Sequence, residues 1–176
     1  MQLGPNKVQV SAVTFGTGAK NQFDLNQYSD KAALEAAIMS IQYNGGQPAL
    51  ANAIRYVTGS SFSPLHGGRA DAPHVAVVLT NQPSGTIDTI KLQSQTAKDN
   101  GVIIYAVGIG NGVNMNELQT LASDPDSRHL YTANNFDALS SLKDILATKL
   151  CNGMCVLFYI YILAFFLFIS KHENYH

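Results

Sequence analysis

The chain has 176 residues, 46% of them hydrophobic and 13% charged, with a formal net charge of −1. That length suits one domain of ordinary size, and so apolar a composition excludes a disordered segment. With no Lys/Arg cluster and almost no net charge, nucleic acid and anionic lipid are excluded as electrostatic partners.

Met1 is followed by QLGPNKVQV. This stretch lacks the basic and apolar regions of a secretory signal, so no signal peptide is expected. Val8 to Phe15 (VQVSAVTF) reads as a strand, alternating at its start. Asp30 suits the cap of a helix that carries Leu34, Ile38 and Ile41 on one face. Pro48 suits a first helical turn, followed by Leu50, Ala53, Ile54 and Val57. Gly59 to Pro73 is rich in Gly, Ser and Pro and reads as a surface loop.

His74 to Thr80 (HVAVVLT) and Val102 to Ile109 (VIIYAVGI) are apolar on both faces. Such runs belong in the middle of a parallel sheet covered on both sides. Between them, Ile87, Ile90, Ser94 and Ala97 fall on one helical stripe that Asn100-Gly101 ends. Asn114 and Glu117 have the spacing of a capping box ahead of Leu118, Leu121 and Ala122. Phe136, Leu139, Leu142, Leu146 and Leu150 form the face of a last helix, and the domain ends near Cys151. Strands alternating with helices predict an α/β fold: a doubly wound, mostly parallel sheet with helices on both faces.

Met154 to Ile169 (MCVLFYIYILAFFLFI) contains no charge, Gly or Pro. With Gly153 and Ser170 it would run about 27 Å as a helix at ~1.5 Å per residue, close to the ~30 Å core of a bilayer. The expectation is a single-pass membrane protein with a spanning helix within residues 152–170 and a short polar tail over 171–176. A buried core helix and a segment foreign to the mature protein stay open as alternatives. Cys151 and Cys155 lie four apart with no His nearby, a poor zinc site. They read as free thiols or, alternatively, as a local disulfide.

Catalytic signatures are missing. Gly108-Ile-Gly110-Asn-Gly112 follows a strand and precedes a helix, but the third Gly of a dinucleotide fingerprint would fall at Val113. There is no phosphate loop. His66-Gly67-Gly68 resembles the oxyanion loop of lipases, yet no nucleophile elbow accompanies it. The histidines at 66, 74, 129, 172 and 176 show no ligand spacing. No enzyme, cofactor or small-molecule substrate is expected; a nucleotide-binding enzyme on a Rossmann-like sheet is the remote alternative.

Several segments together resemble the von Willebrand factor A family, in its collagen-type and matrilin-type matrix subset. They are LGPNKVQVSAVTFG, FDLNQYSDKAALEAAI, IQYNGG, VAVVLTNQ, NGVIIYAVGIGN, LQTLASDPDSRHLY and NNFDALSSL, in matching order over roughly residues 3 to 151. The resemblance implies a protein-binding or adhesion module, extracellular, with a protein ligand of matrix type. It also implies a Mg²⁺ site at the top of the sheet, held by an Asp-x-Ser-x-Ser strand, a loop Thr and an Asp. The Asp-x-Ser-x-Ser strand would precede Met1, so the first central strand is expected to be missing and residues 1–151 to form a partial domain. The Thr position falls at Pro48 and the Asp position at Asn81. No metal is therefore expected, because Mg²⁺ normally keeps one or two carboxylates. Cys151 sits where the family places a disulfide cysteine after the last helix. A truncated or degenerate copy with no binding function of its own is the alternative reading.

Overall fold

The computed structural model describes residues 2–42, 45–135 and 137–138 and, as backbone, 161–163. Its sheet is built from β1 (Gln9–Phe15), β2 (Ala19–Phe23), β3 (His74–Thr80), β4 (Val102–Ile109), β5 (Leu130–Ala133) and β6 (Tyr161–Leu163). Their order is β2-β1-β6-β3-β4-β5. β2 is antiparallel to β1, and every other neighbouring pair is parallel.

The helices are α1 (Lys31–Met39), α2 (Leu50–Tyr56), α3 (Ile87–Asp99), α4 (Met115–Leu121) and α5 (Asp126–His129). Asp30 caps α1 by accepting from the Ala33 N–H at 2.9 Å. Asn114 caps α4, accepting from the N–H groups of Asn116 and Glu117.

The register shows how the two faces divide. Val10 and Val75 both lie level with Ile162, and Val75 lies level with Ile103. Aligned residues point to the same face. On that face α1 buries Leu34 against Val10, Ala12 and Phe23. Val75, Val77, Leu79, Tyr105, Val107 and Ile109 continue it. On the other face α2, α3 and α4 pack Leu50, Ile54, Ile90 and Leu121 against Ala76, Val78, Ile104 and Ala106. A fully buried side chain of this kind contributes about 1.5–3 kcal/mol. The predicted doubly wound α/β architecture is thus present, with helices on both faces of a mostly parallel sheet.

Some details differ from expectation. Pro48 lies ahead of α2, whose cap is Ala49 and whose first residue is Leu50. The stretch from Gly59 to Pro73 carries a π-turn at Val57–Ser61 and a short 3-10 turn at Pro64–His66. It also buries Ser61, Phe62 and Ala72, so it is more than surface loop. Ile41 lies beyond α1 but still packs against its cluster.

The spanning helix is corrected. Within the expected segment, Tyr161–Leu163 form strand β6, in the central position expected to lack a strand. Among the described residues no helix is long and apolar enough to cross a membrane. The last helix expected over Phe136 to Leu150, and Cys151, Cys155, His172 and His176, lie outside the described residues.

Candidate functional site

In an open parallel sheet, ligands bind beyond the carboxyl ends of the strands. Four segments meet at that end of this sheet: the β1–β2 hairpin around Thr17, residues 45–49 ahead of α2, residues 81–86 after β3, and residues 110–114 after β4. Backbone hydrogen bonds fix them to one another. The Ala49 N–H donates to the Gly16 carbonyl at 2.8 Å, and the Leu50 N–H donates to the Ser84 carbonyl at 3.3 Å. Gly110 donates to the Ala133 carbonyl at 2.7 Å. Gly16 is required by close approach, since a Cβ there would collide with the Gly45 carbonyl.

The loop after β3 is held from within. Thr80 Oγ1 donates to the Gln82 carbonyl at 2.8 Å and lies 3.2 Å from Ser84 Oγ. The Ser84 N–H donates to Glu117 Oε2 at 3.0 Å. Glu117 is 3% exposed, so its carboxylate belongs to the interior. The capping box expected of Asn114 and Glu117 is therefore only half realised: Asn114 caps, whereas Glu117 crosses to the β3–α3 loop.

The first three of these segments, with α2 and α3, border an open cleft of about 480 Å³, lined among others by Thr17, Gln47, Pro48, Asn52, Ser84 and Thr89. None of its lining residues carries a charge. Pro48 is buried in its wall. Asn81 starts the adjoining loop, and its Oδ1 is buried without a hydrogen-bond partner. The sheet end thus brings together the loops of both positions that the sequence singled out.

The donors at these positions do not fit a Mg²⁺ ion. Pro48 has no side-chain oxygen and Asn81 offers one neutral carbonyl, while Glu117 lies on α4 with Oε2 on the Ser84 N–H and Oε1 buried without a hydrogen-bond partner. Among the described residues no three His, Cys, Asp or Glu side chains group to hold a metal.

The three described histidines have structural partners. His66 Nδ1 lies 2.9 Å from Asp24 Oδ1, which also accepts from Asn21 Nδ2 at 2.7 Å. This pair spans 42 positions, which no local motif in the sequence betrays. Among the described residues no hydroxyl or thiol bonds to the other ring nitrogen, so the pair lacks the nucleophile of a hydrolase triad. His74 stacks on Phe62 with ring centroids 4.2 Å apart. Burial pushes its pKa below the usual imidazole range, and its bond to the Arg69 carbonyl partly opposes that shift. His129 meets Tyr105 edge-on at 4.8 Å.

The glycines after β4 also have structural reasons. A Cβ on Gly108 would lie 2.6 Å from Leu118 Cδ1, and Gly110 has a φ of 79°. Close helix packing and a left-handed turn explain the Gly-x-Gly-x-Gly run without a nucleotide.

The profile of the von Willebrand factor type A domain matches residues 1–145. The chain is 30% identical over 152 residues to the collagen alpha-1(XII) chain of Notophthalmus viridescens, covering 86% of this chain and 16% of that one. It is 30% identical over 151 residues to matrilin-1 of Gallus gallus, covering 86% and 30%. The chain therefore spans less than a third of the length of either relative. Proximal thread matrix protein 1 from the mussel byssus, solved with a zinc-occupied MIDAS motif, superimposes with a TM-score of 0.75 at 28% identity, covering 81% of this chain and 36% of that one. The relatives are matrix proteins. Together with the lack of any membrane-spanning helix among the described residues, they overturn the expected single-pass membrane localisation.

Proposed function

Because the chain belongs to the von Willebrand factor type A domain family, we propose that it is a non-catalytic protein-binding module of matrix type that holds its partner without a metal ion. The observation that carries this reading is the uncharged cleft at the carboxyl end of the sheet, with Pro48 in its wall. A metal-bridged contact needs a carboxylate from the partner to complete the coordination of a hard cation. A cleft that sets a few amide and hydroxyl groups among Pro48, Ala49 and Ala51 instead suits an uncharged stretch of partner. The matrix character of the collagen and matrilin relatives supports a matrix protein as that partner. The lack of a nucleophile–base pair among the described residues, and of a phosphate-loop motif in the sequence, supports a binding role over catalysis.

The test is surface plasmon resonance of the full chain over immobilised matrix proteins, collagens first, in buffers with Mg²⁺ or EDTA. Binding of equal strength in both, weakened by Asn52→Ala in the cleft, is the expected result. Binding that disappears in EDTA overturns metal independence. No binding to any matrix protein favours the alternative, a degenerate copy with no partner of its own.

A further inference from the structure

The run Asn-Gly-Val occurs twice in the chain, at Asn100–Val102 and at Asn111–Val113. Asparagine is a labile residue, and the residue after it governs how labile. Glycine has no side chain to shield its amide nitrogen, which can then reach the side-chain amide before it. From the asparagine onward the two sites have the same sequence, so the fold must separate them.

At the first site the nitrogen is occupied. Asn100 ends α3, and the Gly101 N–H donates to the Lys98 carbonyl at 2.9 Å. At the second site the nitrogen is free. Asn111 and Gly112 are exposed and lie in a turn after β4. Among the described residues nothing accepts from the Gly112 N–H or binds the Asn111 side chain. The turn is anchored at its ends instead, by Gly110 on the Ala133 carbonyl and by the Asn114 cap of α4.

We propose that Asn111 is a site of spontaneous deamidation, a water-driven modification that the fold permits there and restrains at Asn100. The Gly112 nitrogen gives up its proton to solvent and bonds to Asn111 Cγ. The bond from Cγ to the side-chain nitrogen breaks, and ammonia leaves with a proton returned from water. A second water opens the cyclic imide, its hydroxyl adding to one imide carbonyl carbon and its hydrogen to the nitrogen. Attack at Cγ gives aspartate; attack at the main-chain carbonyl gives isoaspartate. No oxidant or reductant takes part.

Either product puts a carboxylate at a sheet end whose cleft carries no charge. Isoaspartate also lengthens the main chain by one carbon. A Cβ on Gly112 would lie 2.9 Å from the Asn81 carbonyl oxygen, so the loops after β3 and β4 fit too closely to take up that length unmoved. This inference is independent of the adhesion reading, since it needs no partner.

Ageing the native full chain in mildly alkaline buffer, with peptide mapping by mass spectrometry at intervals, tests it. Asn111 is expected to convert to aspartate and isoaspartate at several times the rate of Asn100. A second series in urea removes the fold's influence, and there the two rates are expected to converge. An Asn111 that keeps its amide, or an Asn100 that converts as fast in the native chain, overturns the proposal. A difference that persists undiminished in urea overturns it too, because it would then belong to the neighbouring sequence and not to the fold.

Discussion

The backbone N–H of Ser84 donates to Glu117 Oε2 at 3.0 Å, across 33 positions of sequence. This bond ties the loop that forms one wall of the cleft to α4, and both groups are buried. Hydrogen bonds to charged groups contribute about 1.5–3 kcal/mol. Glu117→Ala is expected to lower the unfolding free energy by about that amount, while Glu117→Gln loses less because its amide oxygen accepts the same bond. Urea unfolding of the three proteins checks this; an Ala variant as stable as the native protein refutes it.

Leu121 is 0% exposed and packs where α4 meets the sheet. Leu121→Ala leaves a cavity and is expected to cost about 2–5 kcal/mol. Met115, on the same helix, is 44% exposed, and Met115→Ala is expected to fall within about 0.5 kcal/mol of native. Chemical denaturation that gives equal midpoints for the two variants would show that the α4 interface is not part of the core.

His74 titrates lower in the folded protein than in the unfolded chain, chiefly through burial. Below the unfolded value of about 6.5 the unfolded chain takes up the proton first. Stability from the neutral ring is therefore fully present above pH 6.5 and is lost as pH falls through the lower folded value. As pH falls below about 6.5 the native protein should lose thermal stability faster than His74→Gln. Parallel melting curves of the two proteins would contradict this assignment.

Neither Pro48 nor Asn81 supplies a carboxylate to a divalent ion. Titration of the full chain with Mg²⁺ should therefore release no heat beyond dilution. A saturable signal abolished by Asn81→Ala would instead reveal a site centred on that buried carbonyl.

What could be read in the sequence followed burial. HVAVVLT and VIIYAVGI were legible because strands covered on both faces are apolar throughout. Asp30 and Asn114 were legible as caps because the side chain answers a local backbone need. β2 was not, since AKNQF lies at the sheet edge and buries only Phe23. The destination of Glu117 was also hidden: its spacing from Asn114 satisfies a local rule, and the contact that wins is 33 positions away. At the cleft, Pro48 and Asn81 were found only through resemblance to a family, because a proline and an asparagine at loop positions carry no chemical signal of their own. The strand role of Tyr161–Leu163 was missed because an unbroken apolar run meets the demands of a bilayer and of a central strand equally well.

The two outermost strands carry a consequence for crowded surroundings. β2 has five residues and β5 four. β2 presents Lys20, Asn21 and Gln22 between its ends, beside a bulge in β1 at Ala12/Val13. Both margins are short, and β2 is also polar and beside a bend, which makes them poor templates for another chain's backbone. Copies crowded side by side at high concentration would thus meet through side chains and loops, and fibre growth by strand addition would find no long, flat margin among the described strands on which to start.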